Sequence, residues 1–249
     1  RQKGTNILFL DAPVSFGKSA VAVGLINATK SRSIITTSTK YLSGQYVRDY
    51  PDMAQIRGRS NYPCILEGVP EGTTAATAPC QDRHFLCPVA RLSPYTMAKN
   101  IAVQSDAVVT NYDYLLREAN FVGQLVKPRR GIIVADEAHT IERHLTSFLE
   151  INFSKKTMDE IGLDDWVPDY DLDDTEKWHG WACGLEMLTK LYLNKVKDDL
   201  DANEEELTIR RFLANLKRFT DSTPLQWVID RRGNGTVYAK PVWIKGHFD

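Results

Sequence analysis

Two short groups of polar residues in this sequence carry side chains suited to phosphate chemistry. The first is Gly17-Lys18-Ser19, which closes a loop between the apolar run Ile7–Leu10, predicted to be a buried strand, and a helix predicted to begin near Lys18. In a phosphate-binding loop, backbone N–H groups and a helix N-terminus surround a polyphosphate. The lysine reaches the outer phosphates, and the hydroxyl ligates Mg²⁺. The group therefore predicts a nucleotide site, although Gly-Lys-Ser also occurs by chance at helix starts.

The predicted phosphate loop has the pattern A-x-x-x-x-G-K-S, with alanine where the first glycine is usual. A small residue suffices at that position. The residues predicted to contact the nucleotide are Ala12, Pro13, Val14, Ser15, Phe16, Gly17, Lys18 and Ser19.

The second group follows the apolar segment 131–135, which is predicted to be a buried strand, and consists of Asp136-Glu137-Ala138-His139. Carboxylates at the carboxyl end of a parallel strand lie at the edge where such sheets bind ligands. Asp136 is suited to hold Mg²⁺ through a water, and Glu137 to orient or deprotonate an attacking water. A solvated turn would explain the charges but not the apolar run. Lys18, Asp136 and Glu137 are therefore the predicted catalytic residues of an ATP-hydrolysing site.

Strands and helices alternate around these two groups, which predicts an α/β fold with a parallel sheet and crossover helices. The second predicted helix is capped by Ser38 or Thr39. The further predicted strands cover 33–37 and 107–110, and the predicted helices cover 20–28, 95–104 and 112–118.

Residues 51–95 interrupt this alternation. The segment is rich in proline and contains Cys64, Cys80 and Cys87. A loop-rich insert of this length buries little core of its own and needs another source of stability.

The pattern changes again beyond residue 150. An acidic, loop-like stretch over 164–176 precedes predicted amphipathic helices over 181–200 and 204–219, and 237–244 is predicted to be a strand pair or a return to the sheet. The apolar stripe of the first of these helices is predicted to be Leu185, Leu188, Leu191 and Tyr192. Cys183, in the same helix, is predicted to be a buried apolar residue.

The composition limits the class of protein. The chain has 249 residues with 43% apolar side chains, enough for a large core or two domains. Neither a signal peptide nor an apolar run long enough for a membrane span is present in these residues, so we expect no membrane partner and a cytoplasmic or nucleoid-associated, intracellular protein. The abrupt ends indicate a fragment of a longer protein.

The charge is distributed unevenly along the chain. Residues 1–144 carry 17 Lys and Arg against 12 Asp and Glu, and residues 145–249 carry 14 against 20. The basic first part suits a polyanionic partner, and the change of sign suits a domain boundary; uneven surface charge without function is the alternative.

The motifs resemble those of the XPD/DinG-like helicases of superfamily 2. Asp136–His139 resembles their DEAH box. Four further strings occur in the same order as in that family, and the resemblance covers about residues 5–145. These are Arg57–Cys64, Cys80 with Cys87, Ser93–Lys99 and Asp106–Leu116.

This resemblance implies a RecA-like first motor lobe formed by residues 1–50 and 96–148, with a cysteine insert over 51–95. It further implies a mostly helical, arch-like insert over 149–236 and a return to the lobe over 237–249. The second lobe, with its arginine finger, would be missing. The implied cofactors are ATP and Mg²⁺, held by Ser19 and Asp136.

The implied partner is single-stranded DNA, along which the motor would move in the 5′→3′ direction. Thr39 would contact a DNA phosphate at a helix N-terminus, and Tyr112 or Tyr114 would stack on bases, unless these tyrosines belong to the core.

In the resembled family four cysteines hold an iron–sulfur cluster, and Ser93 stands here at the fourth position. Three alternatives remain open. A cluster, of the 4Fe-4S or a degenerate type, is held by Cys64, Cys80 and Cys87 with Ser93, His84 or solvent; the insert holds no metal; or zinc is bound by the three cysteines and His84.

Two alternatives to a helicase also remain. One is another phosphate-loop ATPase that translocates without unwinding. The other is a catalytically weak or silent DNA-binding or scaffold protein, which Ser15 favours because it replaces a glycine where the backbone must approach phosphate closely.

Overall fold

The structure is a computed structural model that describes residues 7–13, 16–81, 85–127, 130–160, 162–163, 167–196, 203–231 and 236–242. The chain divides into two compact units, residues 1–141 and residues 142–249. Each unit is described by itself. Among the described residues, no helix combines the length and the apolar character needed to cross a membrane.

The first unit is built on a parallel four-stranded sheet. Its strands are β1 (Ser33–Thr37), β2 (Ala54–Gln55), β3 (Ala107–Asn111) and β4 (Ile132–Ala135), in the order β2-β3-β1-β4. In this register Thr36 lies opposite Thr110 on one side and Ala135 on the other. The carboxyl ends of β1, β3 and β4 therefore lie side by side at one edge of the sheet.

The helices of the first unit cover the sheet. They are α1 (Lys18–Thr29), α2 (Lys40–Asp49), α3 (Pro94–Gln104) and α4 (Tyr112–Arg117), the last extended by a π-helical segment, Glu118–Val122. The central strands are rich in β-branched side chains and buried on both faces, as is typical of parallel sheets. The fold is thus α/β, as the sequence predicted, and is consistent with a RecA-like helicase fold.

The prediction that Ile7–Leu10 form a buried strand is wrong. These residues form no strand, and their side chains are 50–85% exposed. Strand β4 pairs only with β1 in the described part of the chain, and Ile133, on β4, is 56% exposed, so the prediction of a fully buried strand there also fails. An apolar run shows that burial would be favourable but does not specify a hydrogen-bonding partner.

The insert over residues 51–95 is mostly irregular, as predicted, but β2 within it belongs to the main sheet. Outside β2, the described residues of the insert form three short 3₁₀ turns, at Arg59–Asn61, Pro79–Gln81 and Ala90–Leu92. Two backbone hydrogen bonds, from Cys64 N–H to the Thr73 carbonyl and from Ala75 N–H to the Tyr62 carbonyl, close its first half.

The second unit combines helices with a small antiparallel sheet. The helices are α5 (Ile141–Leu149), α6 (Lys155–Glu160), α7 (Thr175–Val196) and α8 (Asn203–Thr220), and the strands β5 (Ile151–Phe153), β6 (Trp227–Arg231) and β7 (Val237–Pro241) pair in the order β5-β7-β6. The core is aromatic: the Phe219 ring lies 5.5 Å from the rings of both Phe153 and Trp227.

Several predictions for this part of the chain need correction. Strand β7 does not return to the parallel sheet but pairs with β5 and β6, and α7 begins at Thr175 rather than at residue 181. Leu191 is 54% exposed while Leu193 is buried, and Cys183 is exposed, because the buried face of α7 is set by its packing against α8. The predictions for residues 164–166, 197–200 and 243–244 lie outside the described residues.

Candidate functional site

The predicted phosphate loop leads directly into α1. Gly17 adopts φ 89° and ψ 28° as the residue before the helix, a left-handed conformation that glycine adopts without strain. The Phe16 N–H donates to the Pro13 carbonyl at 3.3 Å, which forms a turn. Val14 and Ser15 lie outside the described residues.

Lys18 folds back over this loop. Its Nζ donates to the Ala12 carbonyl at 2.9 Å and lies 3.4 Å from the Pro13 carbonyl. These are the backbone groups of the loop itself, so the ammonium is held above the segment in which a polyphosphate is predicted to bind. An anionic phosphate would offer Lys18 a stronger, charge-assisted partner than a neutral carbonyl.

The DEAH segment begins where β4 ends. The Asp136 N–H donates to the Thr36 carbonyl at 2.9 Å, and the Tyr112 hydroxyl donates to the Asp136 carbonyl at 2.7 Å. The backbone of Asp136 is thus fixed between β1 and the start of α4, at the carboxyl edge of the sheet.

The Asp136 carboxyl lies within the electrostatic field of the phosphate loop. Burial, as the largest effect, raises the pKa of Asp136, and the neighbouring Glu137 carboxylate raises it further, while Tyr46, the Glu137 N–H and the Lys18 charge oppose this shift. Lys18 and Asp136, which are far apart in sequence, are thus close enough for the Lys18 charge to act on the Asp136 carboxyl.

Glu137 has an unusual backbone. It adopts φ 55° and ψ 48°, a left-handed conformation that costs a non-glycine residue about 1–2 kcal/mol. The Glu137 N–H donates to the Asp136 carboxylate at 3.1 Å, and both the N–H and the hydroxyl of Thr140 donate to the Glu137 carbonyl at 2.9 Å. Strained residues of this kind cluster at functional sites, because the surrounding contacts hold a geometry that the chain does not prefer.

His139 lies beside Glu137. Its Nδ1 is 3.4 Å from Glu137 Oε2, and both side chains are partly exposed. The imidazole of the DEAH segment is therefore placed to exchange a hydrogen bond with the predicted water-orienting carboxylate.

Tyr46, on α2, is a site residue that the sequence analysis missed. Its side chain is 3% exposed, and its hydroxyl lies beside Ser19 and Asp136. Burial raises the pKa of Tyr46 to about 12, and the Asp136 charge adds to this shift, whereas the Ser19 hydroxyl opposes it. A tyrosine on an amphipathic helix resembles core in sequence, so its type and position gave no sign of a role in the site.

Ser19 and Asp136 suit Mg²⁺. Both border the same tyrosine hydroxyl, so a serine oxygen and carboxylate oxygens converge on one place. Oxygen ligands of this type are those that Mg²⁺ prefers, together with several waters and phosphate oxygens. The described residues therefore fit the predicted cation.

Two of the residues predicted to contact DNA, Thr39 and Tyr112, differ in their accessibility. Thr39 is exposed at the N-terminus of α2, where its hydroxyl accepts a hydrogen bond from Leu42 N–H at 3.2 Å, which confirms the predicted cap. Tyr112 is 6% exposed and bonded to Asp136, so its ring offers no open face for a base. Its predicted stacking role is not supported; burial of the first residue of α4 against the sheet makes it a structural link instead.

The three cysteines of the insert are neighbours but do not complete a metal site. Burial and the proximity of Cys87 and Cys64 raise the pKa of Cys80. No group of three or more His, Cys, Asp or Glu side chains among the described residues is arranged to hold a metal ion. Ser93 is the N-cap of α3, accepting from Thr96 N–H at 3.2 Å, and His84 lies outside the described residues. The described donor set thus falls short of an iron–sulfur site.

Comparison with known families gave one finding. The family model DEAD_2 matches residues 80–158, which span β3, β4 and the DEAH segment. This match supports a helicase family of the DEAD/DEAH type, and with it nucleotide-dependent activity of the helicase type, for which ATP and Mg²⁺ are the cofactors and nucleic acid the partner. A comparison with curated proteins gave no significant match.

Proposed function

We propose that this chain forms the nucleotide-binding part of an ATP-dependent DNA helicase of the XPD/DinG-like type, which moves 5′→3′ on single-stranded DNA. The observation that carries the proposal is the convergence of Lys18, Ser19 and Asp136 at the carboxyl edge of the parallel sheet. The family match over residues 80–158 supports the same assignment, since it includes the DEAH segment.

Each residue of the site has a proposed role. Lys18 leaves the Ala12 carbonyl for the phosphates and stabilises negative charge that develops on the transferred phosphoryl group. Ser19 and Asp136 hold the cation. When bound, Mg²⁺ neutralises phosphate charge.

Glu137 is proposed to orient the attacking water and accept its proton. Its carboxylate is accessible, and its backbone is fixed by Thr140 and by the Asp136 carboxylate. His139, at 3.4 Å, can share the proton after transfer. A carboxylate within reach of water and backed by a second titratable group is a suitable general base.

Two partners of the nucleotide site are proposed, namely single-stranded DNA and a second motor lobe. Thr39 presents the N-terminus of α2 to a DNA phosphate. A second RecA-like lobe would supply an arginine finger and close the site, and the second unit, with its helices and small antiparallel sheet, would correspond to the arch insert. The chain alone should then bind ATP weakly and should not unwind duplex DNA.

The cysteine insert is a separate part of the proposal. Cys80 lies near Cys64 and Cys87, but the described donors fall short of a metal site, so a cluster, zinc and no metal stay as the three alternatives. Iron, zinc and acid-labile sulfide measured in anaerobically purified protein decide the matter: iron with sulfide supports the cluster, and zinc alone or no metal overturns it.

A catalytically silent DNA-binding protein is the second candidate. The observation that favours it is Ser15, where a phosphate loop of this type has glycine. Such a protein would bind DNA without hydrolysing ATP.

Hydrolysis of ATP by the full-length protein, with and without single-stranded DNA, separates the two candidates. The helicase assignment predicts hydrolysis that rises with DNA and is abolished in Lys18→Ala. No stimulation by DNA, together with a Lys18→Ala rate equal to that of the unaltered protein, would exclude a motor and leave the silent candidate.

A further inference from the structure

The buried face of α2 carries a polar group, the Tyr46 hydroxyl, that does not contribute to hydrophobic packing. The Tyr46 hydroxyl is fully buried and has no hydrogen-bond partner of normal geometry among the described residues. Leaving a buried hydroxyl without a partner costs about 1–3 kcal/mol. Phenylalanine would fill the same space without that cost, so the hydroxyl needs a reason beyond the core.

The ring of Tyr46, by contrast, is well explained. It packs in the apolar cluster beneath the sheet with Val23, Ile26, Ile35 and Met53. These contacts account for the aromatic ring and for its depth, and they hold the hydroxyl in one place.

The hydroxyl is directed at two groups of the nucleotide site. Its polar neighbours are the Ser19 hydroxyl, at the start of α1, and the Asp136 carboxyl, at the end of β4. A tyrosine hydroxyl donates one proton and accepts others, whereas an ionised carboxylate only accepts. Tyr46 can therefore donate to Asp136 while accepting from Ser19.

We infer that Tyr46 is a positioning residue of the magnesium–nucleotide site, which donates a hydrogen bond to the Asp136 carboxylate and so directs that carboxylate toward the cation. This inference rests on the proposed function. Outer partners of this kind orient the groups that hold a metal, and their loss typically weakens metal affinity about 10–100-fold.

The test compares Tyr46→Phe with a matched control, Tyr50→Phe, in the 249-residue chain. Tyr50 directly follows α2, and its ring lies 6.4 Å from that of Tyr46. Its replacement by phenylalanine removes the same hydroxyl oxygen. The readout is the binding of a fluorescent, non-hydrolysable ATP analogue titrated with Mg²⁺. Tyr46→Phe should need roughly tenfold more Mg²⁺ for half-maximal binding, with binding in EDTA unchanged, and Tyr50→Phe should match the unaltered chain.

Two further measurements separate positioning from a structural role. Tyr46→Phe should melt at the same or a higher temperature without nucleotide, because it removes an unpartnered buried hydroxyl. In an Asp136→Asn background, Tyr46→Phe should have no additional effect on the Mg²⁺ requirement, since the two residues act as one unit.

Several results would overturn the inference. They are an unchanged Mg²⁺ requirement in Tyr46→Phe, a lower melting temperature with equal loss of binding in Mg²⁺ and in EDTA, or additive effects with Asp136→Asn. Failure of the proposed function looks different: the unaltered chain would not bind the analogue, or Lys18→Ala would bind it equally well.

Discussion

At the scale of single residues, the site depends on carboxylates whose surroundings differ. Asp136 is half-buried, with its carboxyl next to Tyr46, whereas Glu137 is open to solvent and held in a strained backbone conformation. Adjacent acids in different environments can take different roles, one for the cation and one for the proton.

Replacing Glu137 with glutamine should remove the general base and keep the site assembled. We expect ATP hydrolysis by the full-length protein in the presence of single-stranded DNA to fall about 10²–10⁴-fold, with nucleotide binding retained. The matched control is Glu142→Gln, an exposed acid shortly after the DEAH segment, which should hydrolyse ATP normally. Wild-type hydrolysis in Glu137→Gln would remove Glu137 from the mechanism.

Asp136 should make stability depend on pH. Burial raises its pKa in the folded chain, so the folded state binds the proton more tightly than the unfolded state does. Its contribution is fully present below the unfolded pKa of about 3.9 and is lost as the pH rises through the folded pKa. Asp136→Asn should therefore melt at a higher temperature than the unaltered chain at pH 7, and the difference should shrink toward pH 4. Melting curves between pH 4 and pH 7 check the sign of this difference in melting temperature. A lower melting temperature for the variant at pH 7 would contradict the prediction.

At the scale of elements, the positions of the site residues come from strand ends and helix starts. Strands β1 and β3 could be predicted because their β-branched runs are bounded by turns, and α2 because Thr39 caps it. For residues 237–244 the sequence allows either a strand pair or a return to the parallel sheet, because a short strand does not encode its partner, and β5 and β6 lie in a region dominated by helical periodicity.

The sequence likewise predicts only part of the candidate site. Lys18, Ser19, Asp136 and Glu137 are candidates from sequence because their types and spacing suit phosphate chemistry. Tyr46 is not, since its role depends on which way a buried hydroxyl points.

A buried carboxylate follows α4 and joins it to its neighbours. Glu118 is 3% exposed; its Oε1 accepts from Leu125 N–H at 2.8 Å, and its Oε2 lies 3.6 Å from Nζ of the partly exposed Lys99. Removing the carboxylate leaves the Leu125 N–H without its acceptor, and leaving a buried polar group unsatisfied typically costs about 1–3 kcal/mol. Glu118→Ala should lose about this much free energy of unfolding in urea, and Glu118→Gln less, because its amide oxygen still accepts from Leu125. Equal loss in both variants would show that the backbone hydrogen bond contributes little.

At the scale of the whole molecule, the two units have separate cores and opposite charge. The first 144 residues are net basic and contain the proposed nucleotide site, while the remainder is net acidic and built around aromatic side chains. A nucleotide site confined to the first unit should not depend on the stability of the second.

Phe219→Ala tests this independence. Phe219 is fully buried beside Phe153 and Trp227, and deleting such a ring typically costs about 3–5 kcal/mol. We expect calorimetry to show an earlier melting transition for the second unit, with unchanged binding of the ATP analogue below that transition. Loss of nucleotide binding in the folded variant would mean that the second unit takes part in the site.

The central claim is that the loop bearing Lys18 and the strand end bearing Asp136 form one nucleotide site. Equilibrium binding of a fluorescent ATP analogue to the 249-residue chain tests it most directly. The account predicts weak, saturable, Mg²⁺-dependent binding that Lys18→Ala abolishes and that needs more Mg²⁺ in Asp136→Asn. Binding that neither substitution changes, or no binding by the unaltered chain, would contradict it.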